Sequence, residues 1–153
     1  MKQINKYISE RLHINKDIKS YNYHPKTINE LKKLVDKLIK ERGYNADLND
    51  IDTSEITDMT YMFYNSEFNG DISEWDVSNV EYMTSMFEKS KFNGDISKWD
   101  VSKVKYMNYM FHDSSFTGEN GDISNWNVSN VEYMSFMFHR TPLEKNPPKW
   151  YKK

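Results

Sequence analysis

Between residues 44 and 143 the apolar positions recur with a period far longer than that of a helix or a strand. Gly70-Asp71-Ile72-Ser73-Glu74-Trp75-Asp76-Val77-Ser78-Asn79-Val80 is followed by Gly94-Asp95-Ile96-Ser97-Lys98-Trp99-Asp100-Val101-Ser102-Lys103-Val104. A third copy is Gly121-Asp122-Ile123-Ser124-Asn125-Trp126-Asn127-Val128-Ser129-Asn130-Val131. The tryptophans step by 24 and then by 27 residues, and the extra three fall at Thr117–Gly121, where an insertion reads as a loop. A degenerate first copy, Asp47 to Ile56, has Ile51 at the tryptophan position. Downstream, Met59, Met83, Met107 and Met134 align, as do Met62, Met86, Met110 and Met137, and Phe63, Phe87, Phe111 and Phe138. Apart from Met1, every one of the nine methionines lies in one of these two columns. Self-similarity of this kind marks a repeat architecture, in which each unit buries its apolar face against the next.

Each unit divides into two pieces. Ile72, Trp75, Val77 and Val80 suit a short strand that curls into a turn. Val80, Met83, Met86 and Phe87 follow at spacings that predict one face of a short helix. Ser78-x-x-Glu81 and Ser129-x-x-Glu132 read as capping boxes opening that helix. Phe68-Asn69-Gly70 and Phe92-Asn93-Gly94 read as an aromatic plug and a tight Asn-Gly turn. The methionine and phenylalanine columns belong to the core. The fold class expected is an α/β repeat solenoid, a leucine-rich-repeat-like stack of short strand plus short helix units.

The Asp-Ile-Ser-x-Trp-Asp-Val-Ser-x-Val-x-x-Met-x-x-Met-Phe unit resembles the BspA-type leucine-rich repeat of bacterial surface proteins and lipoproteins, over about residues 47–143. Short versions also resemble proteins of phages and mobile elements. The resemblance implies an adhesion or protein-interaction module. It departs from the surface members in lacking an export signal and a lipid-anchor cysteine.

The flanks predict caps. Thr27-Ile28-Asn29-Glu30 is a capping box, and Ile28, Leu31, Leu34, Val35, Leu38 and Ile39 form one apolar stripe ending at Gly43. This predicts a helix over 28–42, with a shorter one over about 2–12 and a loop over 15–26. At the other end Leu143 stands where a further plug phenylalanine would, five after Phe138. Pro147-Pro148 stops regular structure, and Trp150 and Tyr151 fold back over the last repeat edge. The domain division expected is an N-terminal helical capping segment (1–43), four tandem repeats (44–143) and a C-terminal cap or tail (144–153).

Composition narrows the chemistry. Hydrophobic residues make up 37% and aromatic residues 15%, so the core rests on a few large side chains per repeat. With no cysteine there are no disulfides, thiolate metal sites or cysteine nucleophiles. No apolar run reaches signal-peptide or transmembrane length, which points to a cytoplasmic protein. Charge is uneven: residues 1–43 carry 11 Lys/Arg against 5 Asp/Glu, and residues 44–153 carry 10 against 18.

No nucleophile elbow, phosphate loop or His-x-x-x-His spacing is present, so the chain reads as a non-enzyme without a cofactor. Asp52, Asp76 and Asp100, with Asn127, form an oxygen-bearing column that could hold Ca²⁺. One acid per turn, without a dense Asp/Gly loop, favours turn hydrogen bonding. Asp71, Asp95 and Asp122 read the same way. His112 and His139 read as exposed variable positions. The expected function is binding of another protein through a polar strand-side surface of Asp50, Asp52, Glu74, Asp76, Lys98, Asp100, Asn125 and Asn127. Two alternatives stand beside it. One is nucleic-acid association through Lys32, Lys33, Lys37, Lys40 and Arg42, which the acidic body opposes. The other is a structural or virion component.

Overall fold

The computed structural model describes residues 19–152. The helix expected over 2–12 lies outside them, as do His13 and the start of the 15–26 loop.

The helix expected over 28–42 is present as α1, Ile28–Arg42. The Thr27 hydroxyl accepts the Glu30 N–H at 3.2 Å, while the Glu30 carboxylate accepts the Lys26 N–H at 2.7 Å. The box therefore closes one residue earlier than the reciprocal form would place it. Gly43, at φ 91°, ends the helix by donating its N–H to Ile39. Leu31, Val35 and Leu38 are buried against the first repeat, and Ile28, Leu34 and Ile39 pack at the margin of the same core.

The repeats depart from expectation. Among the described residues there is one α-helix, one short 3₁₀ turn (Pro142–Glu144) and five isolated parallel bridges. No repeat contains a helix, and no sheet forms. The α/β solenoid of strand-plus-helix units, and with it the leucine-rich-repeat description, is not what this chain builds. Each repeat is a flattened rung of turns. Its second half is an arc: residues 58–65, 82–89, 106–113 and 133–140.

The arcs avoid the helix for a reason visible in the backbone. Tyr61 and Asn65, Ser85 and Lys89, Tyr109 and Asp113, and Phe136 and Arg140 all have φ between 51° and 59°. A left-handed residue every fourth position cannot continue an α-helix. The N–H groups of Met83, Ser85, Phe87 and Lys89 instead donate to Tyr106, Asn108, Met110 and His112 of the next rung, at 2.8–2.9 Å. The intervening N–H groups of Met86, Glu88 and Ser90 close local turns onto Met83, Ser85 and Phe87. Spacing accounts for the choice. Packed helices need about 8–10 Å between axes, whereas the ring ladder Phe63–Phe87–Phe111–Phe138 advances by 5.5, 5.5 and 5.7 Å. Only near-extended backbone repeats at that pitch.

The capping boxes at Ser78 and Ser129 have no helix to open: the Ser78 hydroxyl instead binds Asp76, and the Glu81 N–H donates to Thr57 of the preceding rung. Nor does Asn69-Gly70 make a tight turn. Asn69 and Asp71 donate their N–H groups to Tyr44 and Ala46, and the Asn69 side chain accepts the Asn93 N–H at 2.8 Å. Gly70 is required by close approach, since a Cβ there would lie 2.0 Å from the Ala46 carbonyl oxygen.

The core is a row of ladders. Trp75, Trp99 and Trp126 are buried, and each indole N–H donates to a carbonyl one rung back: Leu48, Ile72 and Ile96. Trp150 repeats that bond to Ile123 at 2.9 Å and stacks on Trp126 at 6.2 Å. It lies 24 residues after Trp126, so the C-terminal segment begins a fifth level of the stack.

Candidate functional site

Most of the polar columns expected to bind a partner are occupied by the fold itself. Asp50 is held by both guanidinium nitrogens of Arg42 at 2.9 Å and by Asn22, and the Arg42 bond holds its carboxyl below the ordinary range. Asp52 accepts the Ser54 hydroxyl and N–H and meets His24 at 3.2 Å; the Ser54 bond likewise lowers its pKa. Asp76, Asp100 and Asn127 accept the N–H groups of Ser78, Ser102 and Ser129. The neighbouring column repeats the motif, Asp71, Asp95 and Asp122 accepting from Ser73, Ser97 and Ser124. These are Asx turns, the use expected of them. Of the eight expected surface residues, only Glu74, Lys98 and Asn125 stand exposed without such a turn, and Glu74 pairs loosely with Lys19 at 3.6 Å.

Among the described residues no three His, Asp or Glu side chains converge as a metal site, and no helix is long and apolar enough to cross a membrane. The basic helix is also partly spoken for: Arg42 is committed to Asp50 and to the Asp47 carbonyl.

The outer side of the arcs carries a different surface. Seven large apolar residues are exposed in the described chain, and all but Tyr44 lie on the arcs: Tyr61, Tyr64, Tyr82, Tyr109, Tyr133 and Phe136. They are ordered in columns. Tyr82, Tyr106 and Tyr133 stack at 5.0 and 5.2 Å, with planes within 3° of parallel, directly at the bridges that join the rungs. Tyr109 stacks on Phe136 at 5.4 Å, and Tyr61 meets Tyr64 edge-on at 5.6 Å. The column of Tyr61, Tyr109 and Phe136 consists of left-handed residues, so backbone geometry fixes where these rings stand. Charges border the face: Lys89 bonds the Tyr64 hydroxyl, and Lys105 pairs with Glu81 at 2.8 Å.

Sequence reasoning missed this surface because it placed the segment in a helix. The signal was legible: Tyr precedes the first core methionine in three copies, at Tyr82, Tyr106 and Tyr133. A large residue held constant next to the core column, at a position facing out, marks a surface feature. His139 is exposed as expected, but His112 is not. His112 stacks on His139 at 5.5 Å, and its side chain is only 18% exposed beside Glu88.

The face ends in a cavity of about 280 Å³ at the last arc, lined by Ser135, Phe136, Phe138, His139, Glu144 and Tyr151. The Glu144 carboxylate there meets His139 Nδ1 at 2.8 Å and accepts the Arg140 N–H at 3.0 Å. Burial raises the Tyr151 hydroxyl pKa.

No curated protein and no solved structure matches the chain. Residues 29–150, most of the chain, match the family model described as "Mycoplasma protein of unknown function, DUF285", and the chain belongs to that family.

Proposed function

We propose that this protein is a non-catalytic binding module that holds another protein against the tyrosine-rich outer side of its arcs. The observation that carries the reading is the placement of six of the seven exposed large apolar residues on that one surface. Tyrosine offers a large contact area with two rotatable side-chain bonds and a hydroxyl at its tip, which is why it is enriched in protein interfaces. Here the rings are already ordered by stacking, so binding them costs little additional side-chain entropy. The mixed charges along the border match the polar rim of such interfaces. The exposed members of the polar columns, Glu74, Lys98 and Asn125, lack an aromatic anchor and suit a peripheral role.

Ser85 provides the test. It occupies the column of Tyr61, Tyr109 and Phe136 and shares their backbone conformation, so the fold accepts serine there. The triple variant Tyr61→Ser, Tyr109→Ser, Phe136→Ser should lose at least about tenfold in affinity for a partner captured from the native host, roughly 1.4 kcal/mol. Its melting temperature should stay close to that of the parent. Lys98→Glu is the matched change among the polar columns. If Lys98→Glu abolishes binding and the triple variant does not, the partner sits on the polar turns and the aromatic reading is wrong.

A further inference from the structure

The second rung interrupts the aromatic face. Each of the other arcs carries two rings three residues apart and set edge to face: Tyr61 with Tyr64, Tyr109 with His112, and Phe136 with His139, at 5.5–5.9 Å. In the second arc the same two places hold Ser85 and Glu88. Ser85 shares the left-handed backbone of Tyr61, Tyr109 and Phe136, with φ of 54–58°, so its side chain leaves the rung where theirs do. These positions define a slot one rung wide, built wholly from the first three arcs. Tyr61 and Tyr64 wall it on one side, Tyr109 and His112 on the other. Ser85 is only 2% exposed, so the floor is closed and a ligand meets the ring walls and Glu88.

Glu88 sets the chemistry. Its side chain is 15% exposed, and among the described residues its carboxylate accepts no hydrogen bond. His112 Nδ1 lies 3.6 Å away, beyond bonding distance, and is itself buried without a partner. Lys89 does not pair with Glu88 but bonds the Tyr64 hydroxyl at 3.3 Å, its ammonium 5.5 Å from the centre of that ring. A carboxylate largely shielded from water and lacking donors favours a cation that brings several N–H groups. The pitch of the stack gives the width. Tyr109 and Phe136, one rung apart, stack at 5.4 Å, and the places of Tyr61 and Tyr109 are two rungs apart. A cation midway stands one such step from each, within the ~6 Å over which a ring attracts a cation. Guanidinium suits the place better than ammonium, because it is flat, stacks on rings and offers paired donors to one carboxylate.

We propose that the slot at the second rung takes an arginine side chain of the protein bound to the tyrosine face, its guanidinium seated between Tyr61 and Tyr109 and paired with Glu88. The proposal rests on the reading of that face as a protein-binding surface and gives the partner a required charge. The same geometry disfavours other occupants. An aromatic ring would complete the column but leave the Glu88 carboxylate covered and unpaired. An acidic side chain would meet Glu88 at like charge.

The test uses the full chain and a Gly-Arg-Gly peptide blocked at both ends, with the ring signals of Tyr61, Tyr64 and Tyr109 followed by NMR. These signals should shift saturably with the arginine peptide. The citrulline version, neutral and of nearly the same shape, should bind about tenfold or more weakly, as expected on losing hydrogen bonds to a charged group. Glu88→Gln should cause a similar loss for the arginine peptide. Ser85→Tyr is the second variant: it restores a ring that the same backbone carries in two other rungs, so the melting temperature should hold while the shifts disappear. The proposal is overturned if no saturable shift occurs, or if the citrulline peptide or a Gly-Tyr-Gly peptide binds as well. It is also overturned if either variant keeps the parent's melting temperature and binds like the parent, or if the shifts fall on the Asp76 and Asp100 turns and not on the rings. The peptide reads the slot alone, whereas the Tyr61/Tyr109/Phe136 triple-serine test reads the face against a captured partner. Loss of the partner in the triple variant with no arginine response therefore removes the slot and keeps the face.

Discussion

Single residues decide the form of each rung. Among the described residues eight non-glycine residues stand in the left-handed region, a conformation costing of order 1 kcal/mol apiece for an L-residue, and six of them are held by N–H bonds to the next rung. Asp113 is an exposed example, at φ 54°, with its N–H donated to His139. Asp113→Gly keeps that bond and relieves the strain, so stability should hold or rise slightly. Asp113→Val should lose about 1–2 kcal/mol in urea melts, because a β-branched side chain tolerates this conformation poorly. Equal stability of the two variants would contradict the assignment. The aspartate turns have a pH signature. Backbone N–H bonds from Ser73 and Ser97 lower the carboxyl pKa values of Asp71 and Asp95, and the Ser102 side chain does so for Asp100. In the unfolded chain these groups return to about 3.9. Between the two values the unfolded state binds more protons, so this stabilisation is complete above the unfolded pKa and lost as pH falls through the native one. Replacing Asp71 and Asp95 by Asn, which Asn127 shows can accept the same bond, should flatten the acid limb of stability. An unchanged acid limb would mean that these turns do not drive it.

At the scale of elements, α1 was readable from sequence and the arcs were not. The helix has a long apolar stripe, a capping threonine and a terminal glycine, all local signals acting in one direction. The Val80-Met83-Met86-Phe87 spacing has the same apparent period, but its residues are buried for another reason: alternate turns direct them into a row of ladders. Eight residues are also too few to hold a helix without strong packing on one face. What decides their conformation is the pitch imposed by neighbouring rungs, which no single repeat encodes. Asn65 and Asp113, residue types that favour left-handed backbone, were the faint local hint. The role of α1 as a cap can be measured. Removing residues 1–43 exposes the apolar first rung around Phe63 together with the carbonyls of Asp58, Thr60 and Met62, which meet no donor among the described residues. The truncated protein should aggregate in light scattering. A soluble monomer of undiminished stability would show α1 to be an independent arm.

For the whole molecule, the repeat register and the buried tryptophan column were legible, because matched columns are a property of sequence. The path of the chain within each unit was not: the strand-plus-helix architecture gave way to rungs of turns. The architecture inference assumed that a residue's neighbours along the chain are its partners, whereas the arcs bond to residues about 24 positions away. That misplacement hid the tyrosine columns, while most of the polar-column side chains turn out to bond serines two residues on. Trp150 shows the converse: its 24-residue step from Trp126 already announced a fifth level. The proposed binding surface depends on rungs joined through their arcs. The most direct test is the through-hydrogen-bond scalar coupling of the Phe87 amide nitrogen in a uniformly labelled sample. It should couple to the carbonyl carbon of Met110, one rung ahead; coupling to Met83, four residues back, would place the segment in a helix and contradict the account.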